Sequence, residues 1–509
     1  MTAQRDGEDN RRQWAALLTD LERRRTAARA MGGPERLARH RARGRGDARA
    51  RVAGLLDPGS LTELGTLAGD GDHPADALIA GAGRIDGRPV LIGAEDFTVA
   101  GGSIGIAGAT KRHRLAQLAA QERCPLILCI EGAGHRATNA LASPRPAPND
   151  LQALTELAGL VPTVVLVTGP SAGHGALAAP LADLTVMVGA DAALFTAGPP
   201  LVAASTGEQV GKAELGGPAV HAAISGIAQA TASDDAEAAA LVRRYLSYLP
   251  SSAWARTPRA TGPDTGYRPV DRLLEIIPPN PRRPYDMTAV LAEVCDADSV
   301  LEIAPAHGRS VITALARIGG HAVAVVANQP AVGAGAIDVD AAEKAARFIA
   351  RATAFHLPLV QLADNPGVLA GSASERAGIL RSAARMFAAG HRAQVPKLHV
   401  TLRKAFGFGS SVMGQNAFGG QTLSLALPGA ILGGIPAEVG ARTAGHDEST
   451  SAALVDGEAS GPWRLAGTAT YDEVISPVEL RDALLTGLDL AAHRLTGPAA
   501  PVGRPGYLP

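Results

Sequence analysis

Aromatic side chains make up only 3% of the 509 residues. That is too sparse for a binder of single-stranded nucleic acid that stacks bases along a groove. A net charge of −1 removes the general electrostatic pull toward nucleic acid or an anionic membrane. The cysteines are three and scattered, at Cys124, Cys129 and Cys295, which excludes a disulfide framework and a four-cysteine zinc ribbon. Cys124 and Cys129 fall within an apolar run and read as buried thiols. The first residues are polar and charged, with no apolar h-region. No uncharged apolar stretch reaches the roughly 18 residues a span requires. These features fit a reducing cytoplasm. Also missing are a G-x-x-x-x-G-K-[ST] phosphate loop, a G-x-S-x-G nucleophile elbow and an H-E-x-x-H pair. The 13 histidines are dispersed and form no metal cluster.

What the chain has is a repetition. Arg84 to Val90 (RIDGRPV) returns as Arg317 to Val323 (RIGGHAV), and Cys124 to Gly134 (CPLILCIEGAG) as Leu357 to Gly367 (LPLVQLADNPG), both 233 residues on. Val161 to Gly173 (VPTVVLVTGPSAG) returns 234 residues on as Val395 to Gly407 (VPKLHVTLRKAFG). A period this long is a whole domain and not a solenoid unit. The length also suits two cores better than one. Hydrophobic content of 46% and charge of 19% fit a folded globular chain.

Residues 1–55 are basic and helical in character, carrying Arg23, Arg24, Arg25, Arg29, Arg36, Arg39, Arg41, Arg43, Arg45, Arg49 and Arg51. Two readings stand: a solvated helical face, or a few arginines meeting the phosphates of a nucleotide-like ligand. From about residue 78 short apolar strands alternate with helices and end in glycine turns, an α/β layered pattern. Lys111 to Glu122 reads as a helix, and Pro125–Ile130 and Val161–Thr168 as strands. Residues 251–285 are rich in Pro, Gly and Ser and read as a linker. A tail after 445 contains one helix near Val478 to Leu495.

In each copy a strand runs through a small-residue loop into a predicted helix. The loops are Ala172-Gly173-His174-Gly175 and Phe406-Gly407-Phe408-Gly409. A helix start leaves backbone N–H groups unpaired, and such fixed donors suit a developing oxyanion. An earlier glycine loop could add a second donor to each: Gly101-Gly102-Ser103 in one copy, Gly333-Ala334-Gly335-Ala336 in the other. One glycine turn is weak testimony, and the same device at matched positions in two repeats is much stronger. His135, His174 and His221 lie near glycine loops, as acid/base groups or as satisfied structural histidines.

The chain resembles the carboxyltransferase β subunit of acyl-CoA carboxylases, of the propionyl-CoA carboxylase type, across about residues 31–445. The resemblance is carried by GGPERLARHRARGRGDARARVAGLLDPGSLTEL (32–64), EDFTVAGGSIG (95–105), EGAGHR (131–136), GPSAGHGALAAPLADLTVMV (169–188), STGEQVGKAELGG (205–217) and RKAFGFGSSVMG (403–414). It implies two tandem crotonase-like domains of β-β-α units, 1–280 on the acyl-CoA side and 281–509 on the biotin side, assembled as a homohexamer. It implies one oxyanion hole at Gly173 and His174 for the enolate of a coenzyme A thioester. The other, at Phe408 and Gly409, would serve the ureido group of biotin. Gly101, Gly102, Ser103, Gly134, Gly335, Ala336 and Ser411 would line the substrates.

The chain departs from that pattern at His174 and Phe408, where the family carries glycines, at Ser410-Ser411, and in the aromatic-poor stretch 137–160. It has no Met-Lys biotinylation site and no ATP-binding region. A biotin carboxylase and biotin carrier α subunit would therefore supply both. Three readings follow: a carboxyltransferase fed by carboxybiotin; a divergent, biotin-independent acyl-CoA decarboxylase or acyl/carboxyl-transfer enzyme; and a non-catalytic assembly subunit, which would have no need of glycine loops in both halves.

Overall fold

The computed structural model describes residues 2–141, 149–416 and 419–502, with side chains from residue 6. The chain forms two compact units: Met1–His221 with Thr231–Arg243, and Ala222–Ala230 with Arg244–Pro509.

The first unit is built on a seven-stranded sheet. Its order is Thr62–Glu63, Leu78–Ile85, Arg88–Glu95, Leu126–Ile130, Thr163–Val167, Leu184–Val188 and Ala230–Ala232. The first three strands pair antiparallel, and the next three join in parallel. Parallel neighbours need a crossover, and Ile106–Glu122 supplies the first one. All five residues of Leu126–Ile130 and of Thr163–Val167 are buried, which is why these strands read as continuous apolar runs without alternation.

The second unit repeats the plan. Leu301–Glu302, Val311–Ile318 and His321–Asn328 pair antiparallel. Leu359–Asn365, Lys397–Phe406, Leu423–Ala426 and Glu473–Val474 follow in parallel, with Ile431–Gly433 beside the end of Lys397–Phe406. The helix Val339–Ala354 makes the matching crossover. Its core joins Val290, Leu291, Ile312, Val325, Val360, Leu398, Leu425, Leu484 and Leu488.

The repetition extends to backbone conformation. Asp86-Gly87 and Gly319-Gly320 turn the two hairpins with φ of 50° and 76°, and of 60° and 78°. Two positive φ values in a two-residue loop match strand twist, and both Asp-Gly and Gly-Gly supply them. Ala100, Gly101 and Gly102 have φ of 48°, 65° and 69°, and Gly333, Ala334 and Gly335 have 54°, 56° and 81°. Gly102 and Gly335 need more than conformational freedom. A Cβ would stand 2.1 Å from the Glu131 carbonyl oxygen at the first and 2.4 Å from that of Asp364 at the second. In both units a short bridge then joins the two loops, Ile104 to His135 and Ile337 to Val368.

Residues 251–285 are packed. The Ala260 N–H donates to Gly320 O and that of Val270 to Val478 O, each at 2.9 Å, and Leu273 is fully buried. Their Pro- and Gly-rich composition marks irregular backbone, and irregular backbone can still be anchored. The helix expected near the end of the chain is present as Leu480–Leu490 and Ala492–Leu495. Cys124 and Cys129 are buried as expected, and Cys295 is buried as well. Burial pushes the Cys124 thiol up to about 11, and those of Cys129 and Cys295 up to about 12.

Candidate active site

The first unit brings three loops together at the ends of its parallel strands. Residues 100–103 lie against 131–132, through Gly102 on the Glu131 carbonyl and the Ala133 N–H on Gly101 O at 3.2 Å. Residues 131–136 lie against 172–174. The Ala172 N–H donates to Gly132 O at 3.0 Å, and a Cβ on Gly134 would meet Ala172 O at 2.9 Å. Gly101, Gly102, Ser103, Gly134, Gly173 and His174 are thus gathered by one set of contacts.

Their amides are not equivalent. The N–H of Gly102 donates to Val99 O, that of Ser103 to Ala100 O, and that of Gly173 to Phe195 O at 2.9 Å. Among the described residues, the amides of His174 and Gly175 meet no acceptor. The helix expected to begin at Ala176 is a single turn, Ala178–Leu181. The donors at His174 and Gly175 therefore belong to the turn before it and owe little to a macrodipole.

A line of buried charges stands behind this turn. His174 Nε2 is 2.5 Å from Asp150 Oδ1. Arg112 reaches Asp150 through Nε at 2.8 Å and Glu95 through Nη1 at 2.6 Å. Glu95 accepts the Glu131 N–H at 2.6 Å. Glu131, fully buried, pairs with Arg51 at 2.7 Å and Arg45 at 3.2 Å. Burial pushes the Asp150 carboxyl up, but the His174 hydrogen bond and the Arg112 guanidinium outweigh it and hold it down to about 2. The His135 ring stacks on His174 with centroids 4.1 Å apart. Its own pKa is lowered, by burial first and by His174 second. His221 Nε2 meets Leu194 O at 2.9 Å, a structural role.

In the second unit Gly407–Val412 is a short helix with Phe408 and Gly409 in its first turn. Gly409 is enclosed, since a Cβ there would meet Asn365 Oδ1 at 2.2 Å and Gly367 Cα at 2.6 Å. Phe408 is 45% exposed, and its ring leans on Phe387 with centroids 5.8 Å apart. The Gly335 and Ala336 amides close their own turn on Val332 O and Gly333 O. Ser411 borders a small cleft with Gln361, Phe387 and Lys397. Asp364 stands where Glu131 stands in the first unit, fully buried and bound by Arg403 at 2.7 Å.

A cavity of about 720 Å³ opens beside the first loop cluster, lined by Gly32, Gly33, Arg36, Arg39, His73, Asp76 and Val99 among others. Most N-terminal arginines are committed elsewhere. Arg23 and Arg24 pair with Asp20, Arg25 with Glu22, Arg41 with Asp47, and Arg49 with Glu63. Arg36 and Arg39 are the ones that line the cavity. No group of three or more potential metal ligands occurs among the described residues. No helix among them is long and apolar enough to cross a membrane.

The sequence profile of the carboxyl transferase domain matches residues 39–500. The chain belongs to that family. It is 32% identical over 491 residues to the carboxyltransferase subunit of propionyl-CoA carboxylase from Haloferax mediterranei, covering 92% of this chain and 95% of that one. It is also 32% identical over 475 residues to the α subunit of methylmalonyl-CoA decarboxylase from Veillonella parvula, covering 91% and 93%. Its structure matches transcarboxylase 12S, solved as a hexamer with methylmalonyl-coenzyme A and methylmalonic acid bound. The TM-score is 0.89 at 32% identity, over 96% of this chain and 99% of that one. The two sheet units are accordingly tandem crotonase-like domains of a carboxyltransferase, as the resemblance implied.

Asp150, Arg112, Glu95 and Glu131 are the members of the site that the sequence did not reveal. Asp150 adjoins residues 142–148, which lie outside the described residues, within the aromatic-poor stretch 137–160. Nothing local in the sequence links it to a histidine 24 positions on.

Proposed function

We propose that this chain transfers a carboxyl group between biotin and the α-carbon of an acyl-CoA. The half spanning residues 1–280 would hold the thioester, and the half spanning 281–509 the biotin. The observation that carries this is the pair of equivalent loops, in which Gly173 and Gly407 turn with φ of 56° and 54°. Each presents backbone donors just beyond: His174 and Gly175 in one, Phe408 and Gly409 in the other. A fixed N–H aimed at a thioester oxygen stabilises the enolate more than the ground state, because it is in place before charge develops. With Gly173 committed to Phe195 O, that work falls to the amides of His174 and Gly175. Gly101, Gly102, Ser103 and Gly134 shape the wall around them.

The coenzyme A portion would occupy the cavity lined by Arg36 and Arg39, whose guanidinium groups match phosphate oxygens. The residues of the second loop fit a biotin carbonyl, since Gly409 is held close-packed and Phe408 keeps its N–H whatever its side chain does. When bound as carboxybiotin, the cofactor supplies the activated carboxyl group. Gly335, Ala336 and Ser411 would frame it. A separate α subunit would carry that biotin, and the assembly would be a homohexamer, as in the related 12S structure.

The test uses the purified chain, malonyl-CoA and free biotin. Acetyl-CoA release that depends on biotin is expected. Failure of calorimetry to detect acetyl-, propionyl- or malonyl-CoA binding at millimolar concentration would overturn the proposal. Release at one rate with or without biotin would instead select a biotin-independent decarboxylase. The half-exposed Phe408 at the mouth of the biotin loop favours that second reading.

A further inference from the structure

The first loop cluster contains a polar assembly that its repeat lacks. One step after the shared glycine the first unit carries His174, tied to Asp150 and stacked on His135. At the same step the second unit carries Phe408, backed by Phe387. His135 itself is matched by Val368, as the bridges to Ile104 and Ile337 show. The fold of the loop therefore does not require a histidine, an aspartate or a second histidine, and the three together are a separate feature of one unit.

Their geometry is that of an oriented base. Asp150 is buried and already neutralised by Arg112, so its remaining oxygen can fix the His174 ring without leaving a stray charge. A carboxylate on Nε2 holds the proton there and leaves the Nδ1 lone pair as the acceptor. The His174 side chain is partly open, at 19% of its full exposure. Its amide is one of the free donors of the same turn. An oxygen held by that amide at about 3 Å places the adjacent α-carbon within reach of the side chain of the same residue.

Resting on the acyl-CoA reading above, we infer that His174, positioned by Asp150 and His135, is a catalytic base that exchanges the α-proton of the bound thioester without biotin or a partner subunit. In the forward step the electron pair of the α-C–H bond becomes the enolate π bond and the thioester oxygen takes the charge. The proton passes to His174 Nδ1, and the imidazolium stays hydrogen-bonded through Nε2 to the Asp150 carboxylate. The reverse step returns a proton, or a deuteron after exchange with solvent. The groups that face His174 are Asp150, His135 and, one residue further, Arg112. His135, neutral beneath it, leaves the imidazolium as the one new charge in the cluster.

The experiment incubates the full chain with propionyl-CoA in D₂O and follows α-deuterium by mass spectrometry, with calorimetry of the same thioester alongside. Exchange well above the solution background is expected from the native chain. His174→Asn should lower it about 100-fold or more while thioester affinity changes less than about threefold. His174→Phe, the residue its repeat tolerates, serves should the first variant not fold. Asp150→Asn should lose at least about tenfold in exchange with binding kept, a split that simple unfolding would not produce. Binding without exchange, or native exchange in both His174 variants, overturns the inference and leaves the carboxyl-transfer reading standing. Absence of thioester binding overturns both.

Discussion

His174 and Phe408 occupy the same step of the same loop in two repeated units, each following a glycine turned to nearly the same positive φ. What lies behind them differs. His174 rests on Asp150, Arg112 and Glu95 in series, whereas Phe408 rests on one aromatic ring. Two matched positions of the repeat have thus been given a polar and an apolar backing.

The polar backing is linked to pH through Asp150. Its carboxyl is held near 2 against an ordinary value of 3.8. The unfolded chain therefore binds the proton first on acidification, and the contribution to stability is complete above about pH 5. It fades as pH falls through 4 toward 2. The difference corresponds to about 2 kcal/mol. Asp150→Asn is expected to lower the free energy of unfolding measured in urea by about that amount at pH 7, with the gap to native roughly halved at pH 3. A gap that stays constant from pH 7 to pH 3 would show that the charge is not the source.

Gly101 and Gly102 are neighbours with similar φ, yet their substitutions should part. Nothing lies within 4 Å of a Cβ on Gly101, and its counterpart is already alanine, Ala334 with φ of 56°. Gly101→Ala should cost about 1 kcal/mol from the left-handed conformation alone. At Gly102 the Glu131 carbonyl oxygen would be 2.1 Å away. Gly102→Ala should cost more than about 3 kcal/mol or prevent folding. Thermal unfolding of the two variants side by side measures the difference, and equal costs would refute the close approach.

Much of this was legible in the sequence, and the reasons are local. The repeated hairpin, glycine loop and buried strand each have a signature of a few residues, and their constant spacing gave the two-unit plan. The glycines of the site were visible because the same turn chemistry recurs at matched positions. The buried carboxylates were not. Glu131 and Asp364 sit at equivalent strand ends, but Glu131 draws its partners from Arg45 and Arg51 and Asp364 from Arg403. One is served from the N-terminal segment and the other from a neighbouring strand, so no spacing rule connects them. Asp150 and His174 likewise meet only through the fold.

The cavity beside the first loop cluster makes a prediction about charge. Arg36 and Arg39 line it while most of their neighbours are paired with carboxylates. If they meet the phosphates of coenzyme A, Arg39→Glu should weaken propionyl-CoA binding more than about tenfold. It should also flatten the dependence of affinity on salt, because a screened attraction has become a screened repulsion. Unchanged affinity in calorimetry at 50 and 300 mM salt would place the phosphates elsewhere.

Phe408 decides how the second loop is used. Its ring is neither buried in the core nor fully free, and half of its surface remains exposed beside the amides that would hold biotin. Removing it uncovers those donors, and the fold loses the burial of only about half of the ring's surface, part of it against Phe387. Glycine in the first turn of so short a helix should cost no more than about 1 kcal/mol. Phe408→Gly is therefore expected to raise biotin-dependent release of acetyl-CoA from malonyl-CoA by more than about threefold, a change of roughly 0.7 kcal/mol in barrier. The unfolding temperature should move by only a few degrees. Phe408→Trp should act in the opposite direction. If both variants stay within threefold of native while biotin-dependent release is rapid, the side chain does not restrict access. The biotin-independent reading then loses the feature that favours it.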